Sequence, residues 1–324
     1  MRRVVAIVVL LLVGTSAHAA EYVGVDVLTV AISPQYPAPY QTVSITPGST
    51  LIDLAASTIT ITVNGTQIAS GSGKLTGTFT AGAAGSTDTV MVTAKTVNKT
   101  YTKTITLHPA GVALVTEPVS TTHPFYEGGS LVAPEGRIRF IAIPEFGQLN
   151  GTAISAENLV YTWKFGDQIL EAASGMGKNI LTATAPQQYR DADISLVVAT
   201  QDGAQAARAS TTVVPEDPLV YIYENDPLAG PWFTKALGAN YDMERTESTF
   251  LAIPYFFAAK PDISWEVGDN ESGTSANITL RTTGNGKGTA HVSVTASVPN
   301  SYDSASADSI IHFGSSDSGG FFGL

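Results

Sequence analysis

Short segments of the chain alternate polar and apolar residues, and this period of two is typical of β-strands with one buried face. Thr58–Val63 and residues 89–94 are the clearest of these segments. Asn64-Gly65 follows the first segment and predicts a tight hairpin turn. Helical periodicity is almost absent, and we expect only one turn of helix near residues 155–159, with Ser155 as its N-cap. The pattern therefore predicts an all-β fold.

Four motifs from the middle of the chain recur in the same order further on, which indicates an internal duplication. The matched segments are 124–126 with 231–233, 140–146 with 250–256, 162–167 with 264–269, and 194–198 with 290–294. The offset falls from 110 to 102 between the second and third matches. We therefore expect the second copy to lack eight residues in the loop that corresponds to 147–159, since loops tolerate deletions that strands do not.

Proline-bearing stretches at 108–111 and 213–218 divide the β-rich chain into three units. We place the three sandwiches at residues 20–109, 110–214 and 215–313. Residues 314–324 form a flexible Gly/Ser tail with an aromatic end. The predicted architecture is three β-sandwiches in a row.

Residues 1–19 have the three parts of a secretory signal peptide. Arg2 and Arg3 give a positive start, residues 4–13 are all apolar, and residues 17–19 (Ala-His-Ala) form a small-x-small cleavage site. An uncleaved membrane anchor is the alternative, but ten apolar residues fall short of the roughly 20 that a spanning helix needs. We therefore expect a bacterial protein that is exported to the cell surface or the extracellular space.

Residues 161–167 (Tyr-Thr-Trp-Lys-Phe-Gly-Asp) resemble a motif of PKD-like and Ig-like domains in bacterial surface proteins, in which an aromatic-x-Trp strand enters a Gly-Asp hairpin. Residues 264–269 match it more loosely, and the first unit resembles generic bacterial Ig-like domains without the Trp. The resemblance implies tandem Ig/PKD-like β-sandwiches in a multi-domain exported protein of candidate-phylum bacteria. We expect Trp163 and Trp265 to fill the cores, since each alternates with apolar neighbours; exposed sugar-stacking positions are the alternative.

Composition excludes several classes of function. The chain has no cysteine, which removes disulfides, thiolate zinc sites and cysteine nucleophiles. Its 28 acidic and 17 basic residues give a net charge of −11, which argues against nucleic-acid binding. The charge is uneven, because residues 21–109 are neutral and residues 215–324 carry a net −9. The third unit would attract a basic partner or cations; an acidic surface that only aids solubility is the alternative.

Acidic residues crowd the junction between the second and third units and provide the one candidate metal site. They are Glu216, Asp217, Glu224 and Asp226. Calcium prefers carboxylate and carbonyl oxygens, so calcium is the only cofactor that the sequence suggests. A solvated acidic linker without a bound ion is the alternative.

Short segments of the sequence resemble catalytic motifs, but none is accompanied by the other residues or the spacing that its chemistry requires. Residues 317–320 (Asp-Ser-Gly-Gly) have the letters of a serine-protease nucleophile, but they lie in the tail without a positioned histidine base. Residues 71–74 (Gly-Ser-Gly-Lys) do not fit the spacing of a phosphate loop, and we expect a hairpin turn there. We therefore expect no enzymatic activity.

The architecture predicts a non-enzymatic structural or adhesive protein, a rod of Ig-like domains for presentation or protein–protein interaction. Its partners would be other surface or envelope proteins, or a host or neighbouring-cell surface. Phe321, Phe322 and Leu324 form a candidate docking end, and a frayed terminus is the alternative.

Two other classes of function remain as hypotheses. The first is a carbohydrate-binding accessory protein of the cell exterior, which predicts solvent-exposed aromatic side chains. Its candidates are Tyr126, Trp232, Phe233 and Tyr241. The second is an enzyme subunit, which predicts a deep pocket lined by acids that converge from distant parts of the chain.

Overall fold

The computed structural model describes residues 27–124, 126–283 and 287–314, and the predicted signal peptide and almost all of the tail lie outside this range. The described chain is all-β, as predicted, with 24 strands and two turns of 3-10 helix. Every strand pairing joins strands of the same unit, so the sheets fall into three successive groups. Within the described residues, no helix has the length and apolar character needed to cross a membrane.

The first unit is a sandwich of two antiparallel sheets. Its strands are β1 (Thr29–Ser33), β2 (Thr42–Gly48), β3 (Thr58–Val63), β4 (Thr66–Gly71), β5 (Gly77–Thr80), β6 (Asp88–Lys95) and β7 (Thr100–Leu107). One sheet has the order β1-β2-β5 and the other β4-β3-β6-β7, an arrangement of Ig-like sandwiches. Ile59, Ile61 and Val63 alternate into the core from β3.

Two predicted turns of the first unit have different outcomes. Asn64 and Gly65 join β3 to β4 with φ angles of +50° and +81°, which confirms the predicted hairpin. The hairpin predicted at residues 71–74 is wrong, because β4 and β5 belong to different sheets. That segment instead carries the chain from one layer of the sandwich to the other.

The second unit repeats the same strand order. Its strands are β8 (Gly111–Val119), β9 (Arg137–Glu145), β10 (Val160–Phe165), β11 (Gln168–Ile169), β12 (Gly175–Met176), β13 (Ile180–Thr184), β14 (Ala192–Ala199) and β15 (Ala206–Val213). The sheets are β13-β9-β8 and β11-β10-β14-β15, with β12 also paired to β10. The helical turn is confirmed at Ala156–Asn158 with Ser155 as its N-cap residue, although the Ser155 side chain makes no capping hydrogen bond. Its backbone carbonyl, not its hydroxyl, accepts the hydrogen bond from Asn158 N, at 3.0 Å.

The third unit adds two strands to this plan. Its strands are β16 (Leu219–Asp226), β17 (Gly230–Ala236), β18 (Asn240–Met243), β19 (Glu247–Tyr255), β20 (Asp262–Val267), β21 (Asn270–Gly273), β22 (Asn277–Arg281), β23 (Gly288–Ser297) and β24 (Ser304–Phe313). The sheets are β17-β16-β19-β22 and β18-β24-β23-β20-β21. β17 forms the edge of one sheet, and β18 forms the edge of the other through parallel pairing with β24. The described residues of the corresponding stretch in the second unit, 120–136, form no strand.

The structure explains why the repeated motifs are offset. Three of the matched pairs lie on equivalent strands: β9 with β19, β10 with β20, and β14 with β23. The connection between β9 and β10 covers residues 146–159, whereas the connection between β19 and β20 covers only 256–261. The predicted eight-residue deletion is therefore confirmed in this loop.

Trp163 and Trp265 occupy equivalent positions at the centres of the second and third cores. Both side chains are fully buried, on β10 and β20. Each indole Nε1 donates a 2.8 Å hydrogen bond to a backbone carbonyl, of Lys178 for Trp163 and of Ser275 for Trp265. A buried tryptophan needs such a partner for its one polar group, and its large ring then fills the space between the sheets.

Candidate functional site

Two glycines bring the first and second units into backbone contact. Gly85 lies between β5 and β6, and Gly147 follows β9. A β-carbon on Gly85 would stand 1.9 Å from the Gly147 carbonyl oxygen. The side-chain amide of Gln205 donates a 2.7 Å hydrogen bond to that same oxygen. The linker is also held, because Gly85 N donates to Pro109 O at 2.9 Å.

Thr121 makes the corresponding contact between the second and third units. Its backbone N donates to Phe257 O at 3.0 Å, and its backbone O accepts from Phe256 N at 2.7 Å. The Thr121 hydroxyl oxygen also accepts from Phe257 N, at 3.0 Å. Phe256 and Phe257 follow β19 just as Phe146 and Gly147 follow β9. Both junctions therefore engage the residues that follow equivalent strands of the next unit, β9 and β19.

Aromatic rings reinforce the second junction. The His123 ring stacks on Phe233 with centroids 4.3 Å apart and planes 7° apart. Tyr126 packs against the ring of Tyr255 at 5.7 Å. Tyr255 in turn shares a buried 2.9 Å hydrogen bond between hydroxyl groups with Tyr223. Burial and this hydrogen bond raise the pKa of Tyr255, so its hydroxyl keeps its proton.

Three of the four acidic side chains of the predicted calcium site have separate partners. The Gln188 amide donates to Asp217 at 2.6 Å, and the Tyr241 hydroxyl donates to Glu224 at 2.7 Å. Asp226 accepts hydrogen bonds from the backbone N–H groups of Ala229 and Leu228 and pairs with Arg245 at 2.9 Å.

Asp226 makes three of these contacts. The backbone N–H groups and the Arg245 guanidinium lower the pKa of Asp226 to about 2. Glu216 is exposed, and only its backbone N–H bonds to the second unit, at Val132 O. Within the described part of the chain, no three His, Cys, Asp or Glu side chains are grouped so that they could hold a metal ion.

A groove opens on the third unit beside its two additional strands. Its volume is about 450 Å³, and Trp232 on β17 and Tyr241 on β18 both line it. The polar lining residues carry both signs of charge: Glu224, Asp242, Glu244, Lys235 and Arg245. Trp232 is 56% exposed, whereas Tyr241 is partly buried with its ring edge-on to Phe250.

The four aromatic residues of the carbohydrate hypothesis therefore do not form one exposed row. Tyr126 and Phe233 belong to the ring cluster at the second junction. Trp232 and Tyr241 line the groove. Phe321, Phe322 and Leu324 lie outside the described residues, as does the Asp-Ser-Gly-Gly segment at 317–320.

Sequence reasoning missed the residues that join the units. Gly85 and Gly147 look like ordinary loop glycines, and the requirement for them arises only when two loops meet. The repeated aromatic motif at 124–126 and 231–233 is the one sequence feature that points to the second junction, since the described residues Tyr126 and Phe233 both lie in its aromatic cluster. Lys235 and Arg245, which line the groove, belong to no sequence motif that would have indicated a binding site.

No family model matches the chain, and no curated protein matches it. Among solved structures, it is similar to the fibronectin(III)-like modules of Clostridium thermocellum CbhA, with 15% identity and a TM-score of 0.27 over 58% of this chain and 94% of that chain. It is similar to three N-terminal domains of the bacteriophage RB49 Highly Immunogenic Outer Capsid protein, with 10% identity and a TM-score of 0.26 over 88% and 98% of the two chains. It is also similar to the central fibronectin-III array of RIM-binding protein, with 10% identity and a TM-score of 0.28 over 88% of this chain and 95% of that chain. These scores are low, so the fold assignment rests on the strand order.

Proposed function

We propose that this chain is an exported, non-enzymatic surface protein in which three Ig-like sandwiches form a fixed array for presentation and protein–protein interaction. In this proposal the array holds its units in a set order outside the cell. Its partners are other surface or envelope proteins, or the surface of a host or neighbouring cell.

The observation that supports this proposal most is the construction of the two junctions. Neighbouring domains of one chain move relative to one another unless the contact between them is substantial. Here Thr121 makes three hydrogen bonds to the backbone of the third unit. At the first junction, Gly85 and Gly147 are packed too closely to admit even one additional carbon atom. Junctions that hold neighbouring units in place suit a protein that presents a binding surface at a set position.

Labelling of intact producing cells tests the exported location. An antibody against residues 215–313 should stain cells that produce the full chain without permeabilisation. Staining that appears only after permeabilisation would overturn the proposed location.

Photo-crosslinking on intact cells tests the interaction. A photoreactive amino acid at Tyr189 or Tyr302, which are 86% and 90% exposed, should give a discrete crosslinked product with one surface protein. The same variants without irradiation are the matched negative control. If irradiation gives no more product at either position than this control, the proposed interaction role is wrong.

A further inference from the structure

The groove of the third unit is built from structure that the second unit does not have. β17 and β18 are edge strands of opposite sheets, so the groove lies along the open side of the sandwich. Its volume of about 450 Å³ falls within the range of roughly 300–1,000 Å³ that is usual for small-molecule sites. The additional strands therefore create a concave surface of the size that a small ligand needs.

The floor of this groove is fixed to both sheets. Leu237 N donates to Ile222 O at 2.7 Å, which ties the β17–β18 connection to the first sheet. The Ser309 hydroxyl donates to Gly238 O at 2.9 Å, and Ile310 N donates to Ala239 O at 2.9 Å, which tie it to the second. Because these hydrogen bonds already hold the backbone in place, little of the binding free energy would be spent on ordering the site.

Trp232 gives the groove a flat apolar surface in contact with water. It is 56% exposed, while the other two tryptophans of the chain are fully buried core residues. Tryptophan combines a large apolar face with one polar N–H group, and such a residue is suited to binding a ligand that is itself partly apolar and partly polar. The indole thus offers a stacking surface in the lining of the groove.

The charges around Trp232 select against a strongly charged ligand. Glu224, Asp242 and Glu244 would repel an anion, whereas Lys235 and Arg245 would repel a cation. A polyhydroxylated neutral ligand meets neither repulsion, because it carries no charge. Each of its hydroxyl groups can donate a hydrogen bond to a carboxylate or accept one from Lys or Arg. Hydrogen bonds to charged groups are also stronger than those between neutral groups.

We propose that this groove binds a neutral saccharide, with one sugar ring stacked on the Trp232 indole and its hydroxyl groups bonded to Asp242, Glu244 and Lys235. The saccharide site goes beyond the proposed array function and does not depend on it. A chain whose junctions proved flexible would still carry the groove, and a chain without saccharide binding would still form the array.

Titration of the full chain with defined oligosaccharides tests this proposal. The probes are the hexasaccharides cellohexaose, xylohexaose, mannohexaose, laminarihexaose and chitohexaose, followed by calorimetry and tryptophan fluorescence. At least one hexasaccharide should bind and change the emission, and the buried Trp163 and Trp265 should contribute little to that change. Trp232→Ala should weaken binding by at least about tenfold, whereas Trp232→Tyr should keep part of the affinity.

Matched controls separate this site from nonspecific binding and from misfolding. Tyr302→Ala removes another exposed aromatic residue of the same unit and should leave the affinity unchanged. Circular dichroism should show the same spectrum for every variant. The proposal is overturned if no hexasaccharide binds at millimolar concentration, or if Trp232→Ala binds as well as the unaltered chain. Binding of hexalysine or hexaglutamate alone would also overturn it, and would assign the groove to a charged partner.

Discussion

Gly85 of the first unit and Gly147 of the second meet backbone to backbone, with no room for a β-carbon on either side. A β-carbon on Gly85 would stand 1.9 Å from Gly147 O, and one on Gly147 would stand 2.5 Å from Ala84 O. Because the obstructing atoms belong to the backbone, neither clash can be relieved by rotating a side chain. This contact makes the relative placement of the two units sensitive to a single methyl group.

Gly85→Ala should therefore open the first junction. The φ of +74° already strains any residue with a side chain, by roughly 1–2 kcal/mol. The clash with Gly147 adds to this strain and should separate the loops. We expect faster proteolysis at residues 108–111 and a larger radius of gyration by small-angle X-ray scattering.

Gly73→Ala is the matched control for this substitution. Its φ of +76° is nearly the same, but no atom lies within 4 Å of the added carbon. It should lose similar local stability in the first unit and leave the junction intact. Equal scattering profiles for Gly85→Ala and Gly73→Ala would mean that the glycine contact does not hold the units together.

Replacing either core tryptophan should destabilise its own unit. Trp163→Phe and Trp265→Phe each remove the N–H donor and leave the carbonyl oxygen of Lys178 or Ser275 without that partner. Loss of the hydrogen bond costs about 0.5–1.5 kcal/mol in the free energy of unfolding, and the lost ring atoms add to this cost. Urea unfolding followed by circular dichroism measures the effect. Trp232→Phe, at an exposed position, should stay within about 0.5 kcal/mol of the unaltered chain.

The third unit should lose stability at alkaline pH. Burial, and then a hydrogen bond, raise the pKa values of both Tyr255 and Tyr241. Above about pH 10 these tyrosines lose their protons in the unfolded chain but keep them in the folded chain. The unfolded state then binds fewer protons, so the free energy of unfolding falls as the pH rises.

Tyr255→Phe should make this alkaline decline shallower, although loss of the bond to Tyr223 lowers stability at neutral pH. Thermal melts between pH 7 and pH 11 measure the slope. An identical slope for Tyr255→Phe and the unaltered chain would show that Tyr255 does not titrate on unfolding.

Calcium should not stiffen the second junction. Glu224 and Asp226 are occupied by the Tyr241 hydroxyl and the Arg245 guanidinium, and Asp217 accepts from Gln188. Melting curves and scattering profiles in millimolar calcium should therefore match those in chelator. A clear rise in melting temperature with calcium, lost in Asp226→Asn, would show that these carboxylates rearrange to bind the ion.

The sequence predicted features that depend on neighbouring residues or on repetition. Alternation along β3, the Asn64-Gly65 hairpin and the shortened β19–β20 loop all follow from local pattern or from comparison of the two copies. The aromatic cluster and the groove could not be predicted in this way. Whether Phe233 faces His123 or solvent depends on how β17 pairs with β16 and on how residues 120–124 contact the third unit. The acidic residues at 216–226 show the same limit, because they are close in sequence but no three carboxylates of the described residues are grouped to hold a metal ion.

Distances between spin labels in different units test the fixed array most directly. The chain has no cysteine, so the pairs Thr104→Cys with Thr182→Cys, and Thr182→Cys with Thr289→Cys, introduce the only thiols, at exposed strand positions. Pulsed electron paramagnetic resonance should give one narrow distance distribution for each pair, and Gly85→Ala should broaden the first distribution only. Broad distributions for both pairs in the unaltered chain would contradict a fixed arrangement of the three units.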